Sequence, residues 1–241
     1  MIICGKNAVC ESLRANKAIF KLWVNESFKK DFQNEIIHLA KKNNIKIEFK
    51  DKKELDKLCG GEAHQGYVAK IEDFVYSTVD EILEYADSKG QQPFLVILDQ
   101  VEDPHNLGSV IRVCECAGVH GIIIPKHNAC VVNETVAKTS AGAITYMKIA
   151  KVTNLNQEIE KLKGRGIWVY AVELGGTDFY SQNLKGPIAL VIGSEGYGTR
   201  KLVKQNCDGV LTLPMFGKVN SLNASVACGI SVFEIVRQRR N

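Results

Sequence analysis

Apolar and polar positions follow two different patterns along the chain. Over the first seventy residues short apolar runs alternate with amphipathic ones. Ile2 to Cys4 reads as a strand, Asn7 to Arg14 as a helix, Phe20 to Val24 as a strand and Lys30 to Lys42 as a helix. Ile45 to Phe49, a short Glu54 to Leu58 segment and Tyr67 to Ile71 complete a small α/β domain predicted over residues 1–71. Between the last two, Gly60 to Gly66 is a loop by composition, because its glycines weaken both helix and strand interiors. Residues 72–92 read as a linker containing a short helix.

From Pro93 onward the apolar runs become nearly continuous: Phe94 to Leu98, Gly121 to Ile124, Tyr146 to Ile149, Ile167 to Val172, Ile188 to Ile192 and Val210 to Leu213. Helical patterns at Leu107 to Ala117, Asn133 to Ala141, Leu155 to Leu162 and Arg200 to Gln205 lie between most of them. Unbroken apolar strands alternating with helices predict an α/β domain over residues 93–241, with a parallel sheet covered on both faces. The final helix, Leu222 to Arg239, is expected to bury Leu222, Val226, Ile230 and Phe233, spaced three and four apart.

Composition adds limits. With 241 residues and 45% hydrophobic content the chain can bury one large core, or a small domain and a medium one. No apolar run approaches the roughly 20 residues of a membrane span, and the N-terminus lacks a charged leader with a long apolar segment, so a cytoplasmic location is expected. The eight cysteines show no CxxC pairing and read as reduced packing residues. Cys114 and Cys116 form a lone CxC without companion ligands, and no metal is expected. Charge is uneven: residues 1–70 carry 14 Lys/Arg against 9 Asp/Glu, whereas 71–90 carry Lys89 against six acids. Two mildly basic parts divided by an acidic stretch fit surfaces that approach phosphate, and fit ordinary solvated faces nearly as well.

Ligands of open α/β sheets bind beyond the carboxyl ends of the strands, and three segments lie there. In the first, Leu98 to Arg112, Asn106 is placed to cap a helix, and Arg112 interrupts an apolar stretch, either at the surface or directed into a polar cleft. The second, Ile192-Gly193-Ser194-Glu195-Gly196-Tyr197-Gly198-Thr199-Arg200, has neither dinucleotide nor P-loop spacing; it is a tight turn or a close approach to a bound molecule. The third, Leu213 to Ser225, leads into the last helix, with Ser221 as its expected cap and Asn223 in its first turn.

In this order, Asp-Pro-His-Asn-Leu-Gly-Ser-Val-Ile-Arg, Leu-Val-Ile-Gly-Ser-Glu-Gly-Tyr-Gly and Leu-Pro-Met through Ser-Leu-Asn-Ala-Ser-Val-Ala resemble the three motifs of the SpoU (TrmH-type) RNA ribose methyltransferases of the SPOUT superfamily. The likeness spans about residues 93–239. Cys4 to Val9 and His64 to Ala69 also resemble the RNA-binding domain of the branch that makes 2′-O-methylguanosine in large-subunit (23S-type) ribosomal RNA. The resemblance implies a C-terminal trefoil-knot domain, a homodimer, and S-adenosylmethionine held around Gly193, Leu213 and Leu222. It implies that Arg112 assists deprotonation of the ribose 2′-hydroxyl, with Asn106, Glu195, Ser221 and Asn223 holding it and the ribose. Lys6, Arg14, His64 and Gln65 would contact RNA, free or in an assembly intermediate. Because arginine stays protonated at ordinary pH, Arg112 as a cation beside the developing alkoxide is the alternative to Arg112 as a base.

Three rivals remain in view. A transfer-RNA ribose methyltransferase shares the catalytic motifs, and the extra N-terminal domain favours ribosomal RNA. A non-catalytic RNA-binding assembly factor does not require Asn106, Arg112, Glu195 and Asn223 to be intact. A thiol hydrolase using Cys114 or Cys116 with His105 or His120 lacks a paired motif.

Overall fold

The computed structural model describes residues 1–31, 33–61 and 63–240. Its elements run β1 (Ile2–Cys4), α1 (Lys6–Arg14), β2 (Ile19–Asn25), α2 (Glu35–Lys42), β3 (Ile47–Lys50), α3 (Lys52–Leu58), β4 (Tyr67–Ile71), α4 (Val79–Ser88), β5 (Phe94–Leu98), α5 (Pro104–Cys116), β6 (Gly121–Pro125), α6 (Glu134–Thr139), β7 (Ile149–Val152), α7 (Leu155–Gly164), β8 (Trp168–Asp178), β9 (Ile188–Ile192), α8 (Lys201–Asn206), β10 (Gly209–Thr212) and α9 (Ala224–Arg240). Phe32, within the helix expected from Lys30, and Glu62, within the expected loop, lie outside the described residues. No helix among the described residues is long and apolar enough to cross a membrane.

The chain forms two compact units, Met1–Val75 with Val132–Tyr146, and Tyr76–Val131 with Met147–Asn241. The first carries a mixed sheet in the order β1-β4-β2-β3. It also takes in α6, where Glu134 Oε1 accepts from Ile2 N at 2.9 Å, and Tyr146, whose hydroxyl donates to Glu11 Oε2 at 2.8 Å. That partnership draws residues 132–146 away from the sheet domain in which periodicity alone had placed them.

Cys4 and Cys59, expected as reduced, form a disulfide with a Cα–Cα distance of 6.3 Å. They meet because β1 and the end of α3 both pack on Trp23, Leu55 and Val68, a juxtaposition that a separation of 55 positions hides in the sequence. Reduction with dithiothreitol is expected to destabilise this unit by about 2–4 kcal/mol. The check is a lowered thermal midpoint in the natural protein and no reductant effect in a doubly substituted Cys4→Ser, Cys59→Ser protein.

The second unit holds a six-stranded, all-parallel sheet in the order β10-β8-β9-β5-β6-β7. Every residue of β5, β6 and β9 is buried, which is why these strands are unbroken apolar runs. Each leucine or isoleucine fully buried there contributes roughly 1.5–3 kcal/mol. The helical part of the expected linker belongs to this core. Helix α4 starts in a capping box made by Thr78 and Glu81 and buries Val79, Ile82 and Leu83 with Ile123 and Ile159. Ile82 lies so close to Gly121 that a Cβ there would meet it at 2.6 Å. Strand β7 begins at Ile149, where the expected run ended, because Ala143 to Thr145 turn as a short 3-10 helix.

The last helix reverses its expected face. Val226, Ile230 and Phe233 are exposed, Phe233 by 47%, while Ala224, Cys228, Ser231, Val232 and Ile235 are buried. Small residues face inward because α9 packs closely on α5: Val113 Cγ2 is 3.4 Å from where a Cβ on Gly229 would lie, and the Cys114 and Cys228 sulfurs are 3.8 Å apart. The buried Gln238 is satisfied, its Oε1 accepting from Leu184 N at 2.9 Å and its Nε2 donating to Gln182 O at 3.1 Å.

Candidate active site

Strand order turns about the β5–β9 pair: the chain leaves β5 toward β6 and β7, then returns to the other side through β8, β9 and β10. The segments following β5, β9 and β10 converge beyond that pair, the place where open α/β sheets bind ligands. Helix α5 is capped by Asp103, which accepts from His105 N at 2.9 Å, with Pro104 opening the helix. The cap expected at Asn106 is therefore filled three residues earlier, and the Asn106 side chain is released to the site. At α9 the expected cap is likewise displaced. Asn223 Oδ1 accepts from Ser225 N at 3.0 Å and Val226 N at 3.3 Å, and Ser221 stands exposed before it.

One carboxylate ties these helix starts together. Asn106 Nδ2 donates to Glu195 Oε1 at 2.7 Å, Asn223 Nδ2 donates to the same oxygen, and Asn223 Nδ2 also donates to Asn106 Oδ1 at 2.9 Å. Residues 89 and 117 positions from Asn106 thus meet it in one network. Because Asn223 Oδ1 serves the helix and Nδ2 serves the site, its amide has a single orientation that satisfies both.

Beside this network lies a cavity of about 290 Å³. Its walls are Val172, Leu174, Ile192, Leu213, Met215 and Leu222, with Glu173, Glu195, Ser194, Asn220 and Ser221 as polar groups. The expected cofactor contacts Gly193, Leu213 and Leu222 all line it. A second depression shares Ser194, Glu195 and Ala224 with the cavity and is lined by Asn106. Gly193 has a further role. A Cβ there would lie 2.2 Å from Gly198 C and 2.4 Å from Thr199 N, so glycine lets the chain fold back on itself. The turn is closed by Gly198 N donating to Ser194 O at 2.9 Å and Ser194 N donating to Gly198 O at 3.2 Å.

Sequence reasoning missed two acids that hold this turn. Asp99, wholly buried, accepts from Arg200 N and Nε, each at 2.8 Å. Glu173 accepts from Lys204 Nζ at 2.9 Å and Thr199 N at 3.4 Å. Both directly follow apolar strand runs, at Leu98 and Val172, and that position was the available signal.

Arg112 is exposed and makes no hydrogen bond or ion pair within the described residues; six residues of helix, about 9 Å of rise, separate it from Asn106. In the first unit, Lys6 N donates to Gln65 Oε1 at 3.0 Å, so these two adjoin. His64 is buried, its Nδ1 accepting from Gly66 N at 2.9 Å and its Nε2 lying 3.1 Å from Asp56 Oδ1; both nitrogens hold the loop. Arg14 stands at the other end of α1, paired with Glu11 and Glu35, and its guanidinium is held above its ordinary pKa by the Glu35 bond. Cys114 is a poor nucleophile, since burial pushes its thiol well above the usual range.

Comparison with known proteins places the geometry in context. Residues 93–233 match the SpoU rRNA Methylase family, and residues 2–77 match the RNA 2′-O ribose methyltransferase substrate binding family. A Bacillus subtilis protein named as a TrmH family tRNA/rRNA methyltransferase, YacO, is 46% identical over 238 residues, covering 98% of this chain and 95% of its own. The SpoU methyltransferase AviRb of Streptomyces viridochromogenes, solved with AdoMet, superposes with a TM-score of 0.80 at 22% identity, covering 100% of this chain and 91% of that one. The TrmH/SpoU tRNA modifying enzyme of A. aeolicus gives a TM-score of 0.57 at 28% identity, covering 67% of this chain and 83% of its own.

Proposed function

The chain belongs to the SpoU RNA methyltransferase family, and on that premise we propose that it transfers a methyl group from S-adenosylmethionine to the ribose 2′-hydroxyl of a guanosine in large-subunit ribosomal RNA. The observation that carries this reading is the Asn106–Glu195–Asn223 network at the edge of the apolar cavity. The cavity fits the cofactor. Val172, Leu213 and Leu222 offer apolar walls to an adenosine, Glu195 offers negative charge to its cationic end, and the buried Ser194 hydroxyl has no partner among the described residues. When bound, S-adenosylmethionine supplies an electrophilic methyl carbon on a positively charged sulfur.

The protein's part is positioning, which dominates such transfers. Glu195 Oε1 takes both asparagine donors, leaving Oε2 to accept a hydrogen bond from the 2′-hydroxyl and to take its proton as the alkoxide develops. Asn106 and Asn223 fix that carboxylate, and Ser221 lines the approach. Arg112 acts as a cation toward the developing alkoxide or an adjacent phosphate. Arg112→Ala is expected to slow turnover by about tenfold, an effect moderated by its solvent exposure. Arg112→Lys separates charge from shape: turnover near that of the natural protein would discard any role for the planar guanidinium.

Two features support the finer reading. An N-terminal unit matching a substrate-binding family favours ribosomal RNA, whereas the tRNA-modifying neighbour covers only 67% of this chain. The exposed stripe Val226, Ile230 and Phe233 on α9 supports a homodimer, because such a stripe on a long helix is stable when covered by a second copy. Phe233→Glu is expected to halve the mass in light scattering, and an unchanged mass would remove α9 from the interface. The test of substrate is mapping of ribose methylation in RNA from cells lacking the gene. Loss of one 2′-O-methylguanosine in large-subunit RNA, restored by the natural protein, supports the proposal. Loss in transfer RNA alone favours the tRNA reading, and no loss favours an assembly factor.

A further inference from the structure

Among the described residues of the parallel-sheet unit, the two most exposed large hydrophobic side chains stand on the segments that build the site. Tyr197 is 92% exposed and Phe216 is 96% exposed. Tyr197 lines the cavity itself, and Phe216 follows Met215, which also lines it. Leaving a whole aromatic ring in water forgoes the burial that usually holds such residues inside, so two of them beside one cavity call for an occupant.

Their presentation is fixed by the backbone. The reciprocal hydrogen bonds between Ser194 and Gly198 close a turn with Glu195, Gly196 and Tyr197 at its tip. The turn that delivers the Glu195 carboxylate to the asparagine pair therefore also holds the Tyr197 ring two residues away. Arg200, anchored to the buried Asp99, secures the outgoing end of the turn. On the other segment Leu213 is buried and Pro214 restricts the chain, while Phe216 projects into solvent. Lys218 follows it, exposed and without an acidic partner among the described residues. Exposed rings interleaved with unpaired cations are what an unpaired nucleic-acid strand requires, the rings stacking on bases and the cations meeting phosphates.

We propose that Tyr197 and Phe216 are stacking platforms for unpaired bases of the RNA substrate at the mouth of the site. The inference rests on the RNA methyltransferase reading and adds to it the groups that hold the nucleotides flanking the target ribose. A nucleotide drawn out of regular stacking presents its 2′-hydroxyl to the exposed Glu195 at the cost of base–base contacts. Rings on either segment replace the lost base–base contacts, which favours substrates whose target lies in a loop or other single-stranded element.

The test uses the full-length protein with an unmethylated large-subunit ribosomal RNA transcript. Tyr197→Ala and Phe216→Ala should each raise KM for RNA about tenfold, and Phe216→Ala, whose ring is outside the cavity lining, should leave KM for S-adenosylmethionine and the oligomeric mass unchanged. Tyr197→Phe and Phe216→Trp, which keep a ring, should restore RNA affinity. An unchanged KM for RNA in the alanine variants overturns the proposal. So does a rise in KM for the cofactor in Phe216→Ala, which would make that ring its cover, or a change in mass, which would make the rings a protein interface. A second readout needs no turnover: fluorescence of Phe216→Trp should be quenched by a single-stranded oligoribonucleotide and not by a duplex of the same sequence. Quenching without methyl transfer by the natural protein would overturn the enzymatic reading alone, and methyl transfer without quenching would overturn the stacking proposal alone.

Discussion

Replacing Glu195 with alanine is expected to lower kcat for methyl transfer by about 100-fold or more while leaving the melting temperature within a few degrees. The carboxylate is exposed and belongs to no hydrophobic core, so its removal creates no cavity. Its loss leaves Asn106 Nδ2 and Asn223 Nδ2 without their shared acceptor. Asn223 keeps its cap and its bond to Asn106 Oδ1, but the carboxylate aimed at the 2′-hydroxyl is gone, and removing one preorganised polar group of this kind typically costs 10²–10³ in rate. Asn223→Ala should behave differently: it removes the same link and also the cap of α9, so about 1 kcal/mol of stability is lost with the activity. Steady-state kinetics with thermal unfolding of both variants separates the two effects. Equal stability losses would mean that the capping geometry carries no weight.

Gly193→Ala is expected to abolish cofactor binding and to destabilise the protein by about 1–3 kcal/mol. The added methyl would fall 2.2 Å from Gly198 C, 2.4 Å from Thr199 N and 2.5 Å from Gly198 O. All three are backbone atoms, so the turn must open, carrying Glu195 away from both asparagines and spoiling the cavity wall. Gly196→Ala, three residues on, provides the control. Nothing lies within 4 Å of a Cβ at that position, and the substitution should leave cofactor affinity, measured by calorimetry, within about twofold. If Gly193→Ala binds as the natural protein does, the turn is not the rigid support described above.

The strands carrying the site were the most legible part of the sequence. Phe94 to Leu98 and Ile188 to Ile192 are strands over those residues, because both faces are covered and every position must be apolar. The asparagines were legible as residues and illegible as partners. Capping statistics placed helix starts near Asn106 and Asn223 and could not choose among neighbouring caps, so Asp103 and Asn223 took the roles expected of Asn106 and Ser221. Helix α9 misled for a physical reason. Spacing singles out Val226, Ile230 and Phe233 as buried, yet α9 meets α5 closely at Cys228 and Gly229 and buries Val232 and Ile235 instead, which leaves those three outside. Threading of a knot leaves no trace in periodicity; that expectation came from the order of the three motifs. The Cys4–Cys59 bond and the membership of residues 132–146 in the first unit depend on tertiary neighbours alone.

The central claim is ribose methylation dependent on the Glu195 network, and it is tested most directly with purified protein, isotopically labelled S-adenosylmethionine and unmethylated large-subunit ribosomal RNA, followed by nucleoside mass spectrometry. The account predicts one labelled 2′-O-methylguanosine per RNA with the natural protein and almost none with Glu195→Ala. Label on a base, or undiminished labelling by Glu195→Ala, would contradict it.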